Sequence, residues 1–154
     1  MSAQRVRAYL LEHGLQYQLE THPVVYTTSE VAEAEHVPGK QMAKAVMLMA
    51  DDYLMMAVLS GDQMVDLAKA KAALGVGALR LATEGEFWRS FPDCDRGAEP
   101  PFGALYDIAT VVDRGLAGPE ITFNAGTHTE SITMALADYL ELTNPQIVDL
   151  AVTA

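Results

Sequence analysis

A chain of 154 residues, 50% hydrophobic and 20% charged, has the composition of one folded domain and excludes a disordered polypeptide. Its formal charge of −11 excludes a broad basic surface that coats nucleic acid, and no apolar stretch approaches the roughly 18 residues of a membrane span. A single cysteine, Cys94, excludes an internal disulfide framework and fits a reducing cytoplasm, and the polar opening "MSAQRVRAYLLEHG" has no apolar signal core.

Residues 2 to 13 form a helix with Val6, Tyr9, Leu10 and His13 on one face, stopped by Gly14. "LQYQLETH" alternates as a half-buried strand does. "TTSEVAEAEH" opens with Thr27 three residues before Glu30, a capping-box spacing, and reads as a short acidic helix ended by Pro38 and Gly39. "AKAVMLMA" and "YLMMAVLS" are two strands joined by Asp51 and Asp52, a hairpin spacing. "MVDLAKAKAALG" is helical, with Val65, Leu67, Ala68 and Leu74 apolar and Gly75 as stop. "GALRLA" is a short strand, and "TEGEFWRSF" repeats the capping-box spacing from Thr83 to Glu86. "LYDIATVVD" and "EITFNAG" are further strands, and "ESITMALADYLEL" passes from strand into a last helix. The mixed order, without regular βαβ repetition, predicts a single α+β domain over 1–154 with a curved, mixed but mostly antiparallel sheet flanked by helices.

Most catalytic signatures are missing. The four histidines, His13, His22, His36 and His128, lack a metal-ligand spacing, "GVGALR" lacks the third glycine of a dinucleotide fingerprint, and there is no GxSxG elbow. Cys94 stands between Asp93 and Asp95, which disfavour its thiolate. Seven of the ten basic residues fall between Lys40 and Arg96, beside eight acids, so a polyanion would touch a local patch. Three features remain: Lys44 inside an apolar strand, the loop "RGAEPPFGALYD", and the glycine turn "FNAGTHTES". Alternation puts Lys44 on a face with Met42, Val46 and Leu48. There its ammonium either snorkels to water or projects into a pocket to meet a phosphate, carboxylate or oxyanion. The proline loop is either a connection or a rigid wall whose backbone groups face a ligand. The glycine turn is either a tight turn or a point of close ligand approach, rimmed by Thr127 and His128.

In this order, "TTSEVAEAEHVPGKQMAKAVMLM", "VDLAKAKAALG", "GAEPPFG", "VVDRGL" and "FNAGTHTESITMALADYLEL" resemble the YbaK/ProX family of aminoacyl-tRNA deacylases. That family includes the editing domain inserted in bacterial prolyl-tRNA synthetases, and the resemblance spans most of the chain. It implies the fold associated with that domain, with a barrel-like sheet. It also implies a cytoplasmic trans-editing hydrolase that cuts the ester of a mischarged tRNA without a metal or organic cofactor, leaning on the substrate's ribose hydroxyl and a bound water. The implied partners are the acceptor end of aminoacyl-tRNA and a synthetase that delivers it, with no membrane.

Lys44 then holds the terminal phosphate or stabilises charge near the ester carbonyl. Gly97, Pro100, Pro101 and Gly103 shape the amino-acid pocket, while Gly126, Thr127 and His128 close its other side. Thr27 and Glu30 match the family's helix, as substrate contacts or as its cap. Small pocket residues favour alanine, serine or cysteine. Glu99 departs from the small or apolar residue expected in the loop, His128 is typical of some subgroups only, and the net acidity opposes autonomous tRNA binding. The competing reading is a non-catalytic module binding a nucleotide-like or amino-acid-like ligand or a protein.

Overall fold

The computed structural model describes residues 2–24, 28–35 and 37–153. Helix α1 (Ser2–Glu12) and strand β1 (Gln18–Thr21) are followed by α2 (Thr28–Glu35), a 3-10 turn Gly39–Gln41, and the hairpin β2 (Ala43–Ala50) and β3 (Tyr53–Ser60). Next come β4 (Gln63–Val65), α3 (Leu67–Leu74), β5 (Leu79–Leu81) and α4 (Glu84–Phe87), then a long loop to β6 (Ala109–Asp113). The chain closes with β7 (Glu120–Thr127), β8 (Glu130–Ala135), α5 (Leu136–Thr143), β9 (Gln146–Val148) and β10 (Ala151–Thr153).

Three sheets result, ordered β5-β2-β3-β6-β9, β1-β8-β7 and β10-β4. The β3–β6 and β6–β9 pairs are parallel and the other named pairs are antiparallel, so the α+β reading and its mixed sheet hold. The sheets do not close into a barrel. A single parallel bridge, Met42 with Thr122, joins β2 to β7 before the two strands part.

The hairpin is as apolar as it is because both its faces are covered. Ala43, Met47, Met56 and Val58 enter the main core with α1, β7, β8, α5 and the aromatic residues Phe91, Phe102 and Tyr106. On the other face Leu48, Ala57 and Leu59 pack with Ala70 of α3 and Leu150, while Met42 packs with Val31 and Ala32 of α2. The Asp-Asp turn is held locally. Asp51 adopts φ 52, which aspartate tolerates, and its Oδ1 accepts the N–H groups of Gly77 (3.1 Å) and Ala78 (2.9 Å).

The helix expected over "MVDLAKAKAALG" begins later than its apolar pattern suggests. Asp66 caps it by accepting the Lys69 N–H (3.0 Å), which frees Gln63–Val65 to pair as β4, and Gly75 at φ 68 ends it. Ala70, rather than Ala68, is the alanine it buries. The capping box from Thr83 to Glu86 is present, and Arg80 grips the Glu86 carboxylate at 2.7 and 2.6 Å, holding that acid at about 2. Strands β9 and β10 are additions to the expected order. Buried Asp113 secures them by accepting Leu150 N–H (2.9 Å) and Ala151 N–H (3.1 Å) on one oxygen and Gly115 N–H (2.8 Å) on the other.

Candidate functional site

Lys44 stands where the covering of its sheet face is broken. Met42, two residues before it, lies under α2, and Val46, two residues after it, belongs to the cluster under α3. The ammonium therefore sits in the gap between two helices, half-buried, and burial lowers its pKa while the nearby charge of Asp62 opposes that shift. Among the described residues it has no hydrogen-bond or ion-pair partner. With Asp62 near but not in ion-pair contact, a cation so placed is poised for a further anion.

The bridge from Met42 to Thr122 fixes what shares this face. Partners in a parallel bridge point the same way, so Thr122 lies beside Met42, and Asn124 and Lys44, each two residues farther on, are on the corresponding faces of their strands. Thr122 is buried, accepts from Gln41 Nε2 (3.1 Å) and meets the Thr133 hydroxyl at 2.7 Å. Asn124 has a buried Oδ1 with no hydrogen-bond partner among the described residues. None of Gln41, Thr122 and Asn124 stood out in the sequence. Their alternation with Ile121, Phe123 and Ala125 reads as a solvent face, and only the bridge to β2 shows that it is covered.

The two glycine-bearing segments meet. Asp95 N–H donates to the Gly126 carbonyl at 2.7 Å, His128 N–H donates to Asp95 Oδ2 at 3.1 Å, and His128 Nε2 donates to the Arg96 carbonyl at 2.8 Å. Gly97 (φ 86) and Gly126 (φ 100) both occupy backbone space that suits glycine, and a Cβ at Gly97 would lie 3.8 Å from the His128 ring. Thr127 belongs to the same turn, donating to Glu130 Oε1 at 3.0 Å. A register shift between Asn124 and Thr127 is the bulge that re-aims this end of β7.

The prolines are fixed from behind. Pro100 and Pro101 are buried, the Pro100 carbonyl accepts Phe102 N–H (2.8 Å), and the Pro101 carbonyl accepts the Tyr139 hydroxyl (2.6 Å). Gly103 points the other way: a Cβ there would strike the Thr110 hydroxyl and the Ile108 carbonyl, so its smallness serves packing. Glu30 is exposed in the first turn of α2, and Thr27 lies outside the described residues.

Beside the proline loop is a cleft of about 240 Å³ lined by Trp88, Phe91, Pro92, Cys94, Arg96 and Glu99. Burial pushes the Glu99 carboxyl up, although its oxygen accepts Gly97 N–H at 3.2 Å. Burial likewise pushes the Cys94 thiol up to about 12, with the Tyr106 hydroxyl 3.3 Å from its sulfur, so it is no thiolate nucleophile. Burial outweighs the neighbouring aspartates that the sequence pointed to. Trp88 is 41% exposed, with the guanidinium carbons of Arg96 and Arg89 at 5.2 and 5.6 Å from its ring centroid. A larger cavity of about 670 Å³ lies elsewhere, between Leu11, Tyr17, Met134 and Asp138, and contains none of the residues singled out above. No cluster of potential metal ligands occurs among the described residues, nor any helix long and apolar enough to cross a membrane.

A family model described as "Aminoacyl-tRNA editing domain" matches residues 22–142, which include both glycine segments and Lys44. The chain belongs to the aminoacyl-tRNA editing domain family. One relative in this family is the "Multifunctional Ser/Thr-tRNA deacylase ProXp-y" of Escherichia coli (strain K12), 31% identical over 98% of this chain and 93% of that protein. A "Proline--tRNA ligase" of Lactiplantibacillus plantarum is 33% identical over 60% of this chain and 16% of its own length. Among solved structures, a candidate trans-editing enzyme for prolyl tRNA synthetase superposes with a TM-score of 0.84 at 28% identity, covering 97% of this chain and 96% of its own. A hypothetical protein of 20% identity, TM-score 0.87 and coverage of 96% and 99% shares the fold of this editing domain.

Proposed function

We propose that residues 1–154 act as one trans-editing domain, an aminoacyl-tRNA deacylase that hydrolyses the ester between a mischarged amino acid and the terminal ribose of tRNA. The observation that carries this reading is Lys44, a half-buried ammonium without a hydrogen-bond or ion-pair partner among the described residues, in a chain of the editing family. A cation held there without a bonded anion among the described residues is pre-organised to meet the phosphate or the oxyanion of an acyl-ester substrate. In the reaction, water adds to the ester carbonyl, the acyl–oxygen bond to ribose breaks, and the water's proton ends on the released ribose oxygen. Lys44 stabilises the negative charge that develops, and Gly97, Pro100, Pro101, Gly126, Thr127 and His128 form the wall against which the aminoacyl group rests.

The acceptor end is the part of tRNA that this surface accommodates. The protein carries a charge of −11, so a long backbone contact is unfavourable. The exposed Trp88 with Arg89 and Arg96, next to the cleft at Glu99, offers a local stacking and phosphate contact for unpaired nucleotides. A synthetase that hands over the mischarged tRNA would supply the remaining affinity. The deacylase named among the relatives acts on Ser/Thr-tRNA, and small hydroxylated or methyl side chains suit the narrow wall here as well. The direct test is incubation with seryl-, threonyl-, alanyl- and cysteinyl-tRNA carrying mismatched anticodons, following loss of the ester. Turnover of at least one is expected. Binding of the acceptor end without turnover of any would replace catalysis by a binding module.

A further inference from the structure

One polar group of the site is left without a task in the reaction described above. Asn124 lies on β7 between Phe123 and Ala125, both fully buried in the main core, so its own side chain is on the opposite face with Thr122. The Met42–Thr122 bridge puts Lys44 on that face too, at the corresponding position two residues farther on. Thr122 is satisfied by Gln41 and Thr133. The Asn124 Oδ1 is buried and has no hydrogen-bond partner among the described residues. An unpaired buried acceptor loses its hydration and gains nothing, whereas a leucine of the same shape would avoid that loss. The polar group therefore costs stability at the place where β2 and β7 part, on the face that also carries Lys44, which lacks a bonding partner among the described residues.

We propose that Asn124 is a substrate-recognition residue whose carboxamide oxygen accepts a hydrogen bond from a hydroxyl group of the aminoacylated tRNA end. The inference rests on the deacylase reading and deepens it. An aminoacyl-adenosine end offers three kinds of donor: its ammonium, the adenine amine and its hydroxyls. The Lys44 ammonium shares the face, and like charges repel strongly where water is partly excluded, which disfavours the substrate ammonium at Asn124. Two hydroxyls share the required chemistry: the ribose hydroxyl next to the ester, and the side-chain hydroxyl of serine or threonine. A site built to bond a hydroxyl discriminates against the analogue that lacks it, because the acceptor is then left buried and unpaired.

The test compares wild type with Asn124→Leu and Asn124→Ala on seryl-tRNA, alanyl-tRNA, and seryl-tRNA ending in 2′-deoxyadenosine. Asn124→Leu is expected to melt no lower than wild type while kcat/KM on seryl-tRNA falls at least about tenfold. A fall on seryl- but not alanyl-tRNA identifies the side-chain hydroxyl. An equal fall on both, with unchanged affinity for the deoxy-terminated substrate, identifies the ribose hydroxyl. Either result supports the proposal, and the melting temperature separates it from a merely structural role. If Asn124→Leu does not fold, Asn124→Ala answers through the same substrate ratios. Activity within twofold of wild type on seryl- and alanyl-tRNA overturns the proposal, as does a loss of affinity that is equal for all three substrates. A wild-type protein inactive on every ester overturns the deacylase reading itself, a different and recognisable failure.

Discussion

Replacing Lys44 by methionine keeps the length of the side chain and removes its charge, and it should separate binding from folding. A cation about 4 Å from an anionic oxygen contributes about 1 kcal/mol in water and about 4 kcal/mol at the effective dielectric of a protein surface. Lys44 is half-buried between α2 and α3, so its contribution falls within that range. Each 1.36 kcal/mol or so is a factor of ten, so kcat/KM for ester hydrolysis should fall about 5- to 1,000-fold. Stability should move the other way. Burial disfavours the charged amine, and Asp62 offsets this only in part. Removing the charge therefore leaves the protein as stable or more so, by no more than about 1 kcal/mol given solvent screening, which is about 2–4 °C in Tm. The sign with pH follows. The folded-state pKa lies below the ordinary 10.5, so between those values the unfolded chain binds more protons and wild-type stability rises with pH. Lys44→Met lacks that rise. Single-turnover deacylation and thermal melts across the alkaline range measure both effects. Unchanged kcat/KM in a folded Lys44→Met protein would refute the reasoning.

Three further outcomes are expected. Asp113→Ala strands the N–H groups of Leu150, Ala151 and Gly115, and should cost about 2–4 kcal/mol in urea unfolding, well beyond a surface change. Glu99 is held above its ordinary 4.5 by burial, so native stability should fall as pH rises from that value through the raised one; Glu99→Gln, read by urea midpoints over about pH 4–8, should flatten that fall. The Cys94 thiol, pushed up to about 12, should resist an alkylating reagent in the native state at neutral pH and react only on unfolding, whereas rapid native labelling would contradict its burial.

The hairpin was legible to the residue because its strands are long, apolar and broken by a two-residue aspartate turn. The capping box at Thr83 and the stop at Gly75 were legible for the same local reason, since a cap needs only its neighbours. Strands β4, β9 and β10 were not, because three residues carry no alternation and exist only through distant partners such as Asp113. At the site, Lys44 announced itself as a charge in an apolar run. Asn124 and Thr122 did not, because polar residues alternating with apolar ones look solvated until β2 is found beside them. Gly103 shows the converse: a glycine in a suggestive loop whose nearest neighbours, Thr110 and Ile108, give it a packing reason.

The most direct measurement is loss of the ester from seryl-tRNA mixed with the wild-type protein, set against Lys44→Met at equal concentration. The account predicts release of free serine by the wild type and at least about fivefold slower release by the variant. Equal release by both, or none by either on any mischarged tRNA, would contradict it.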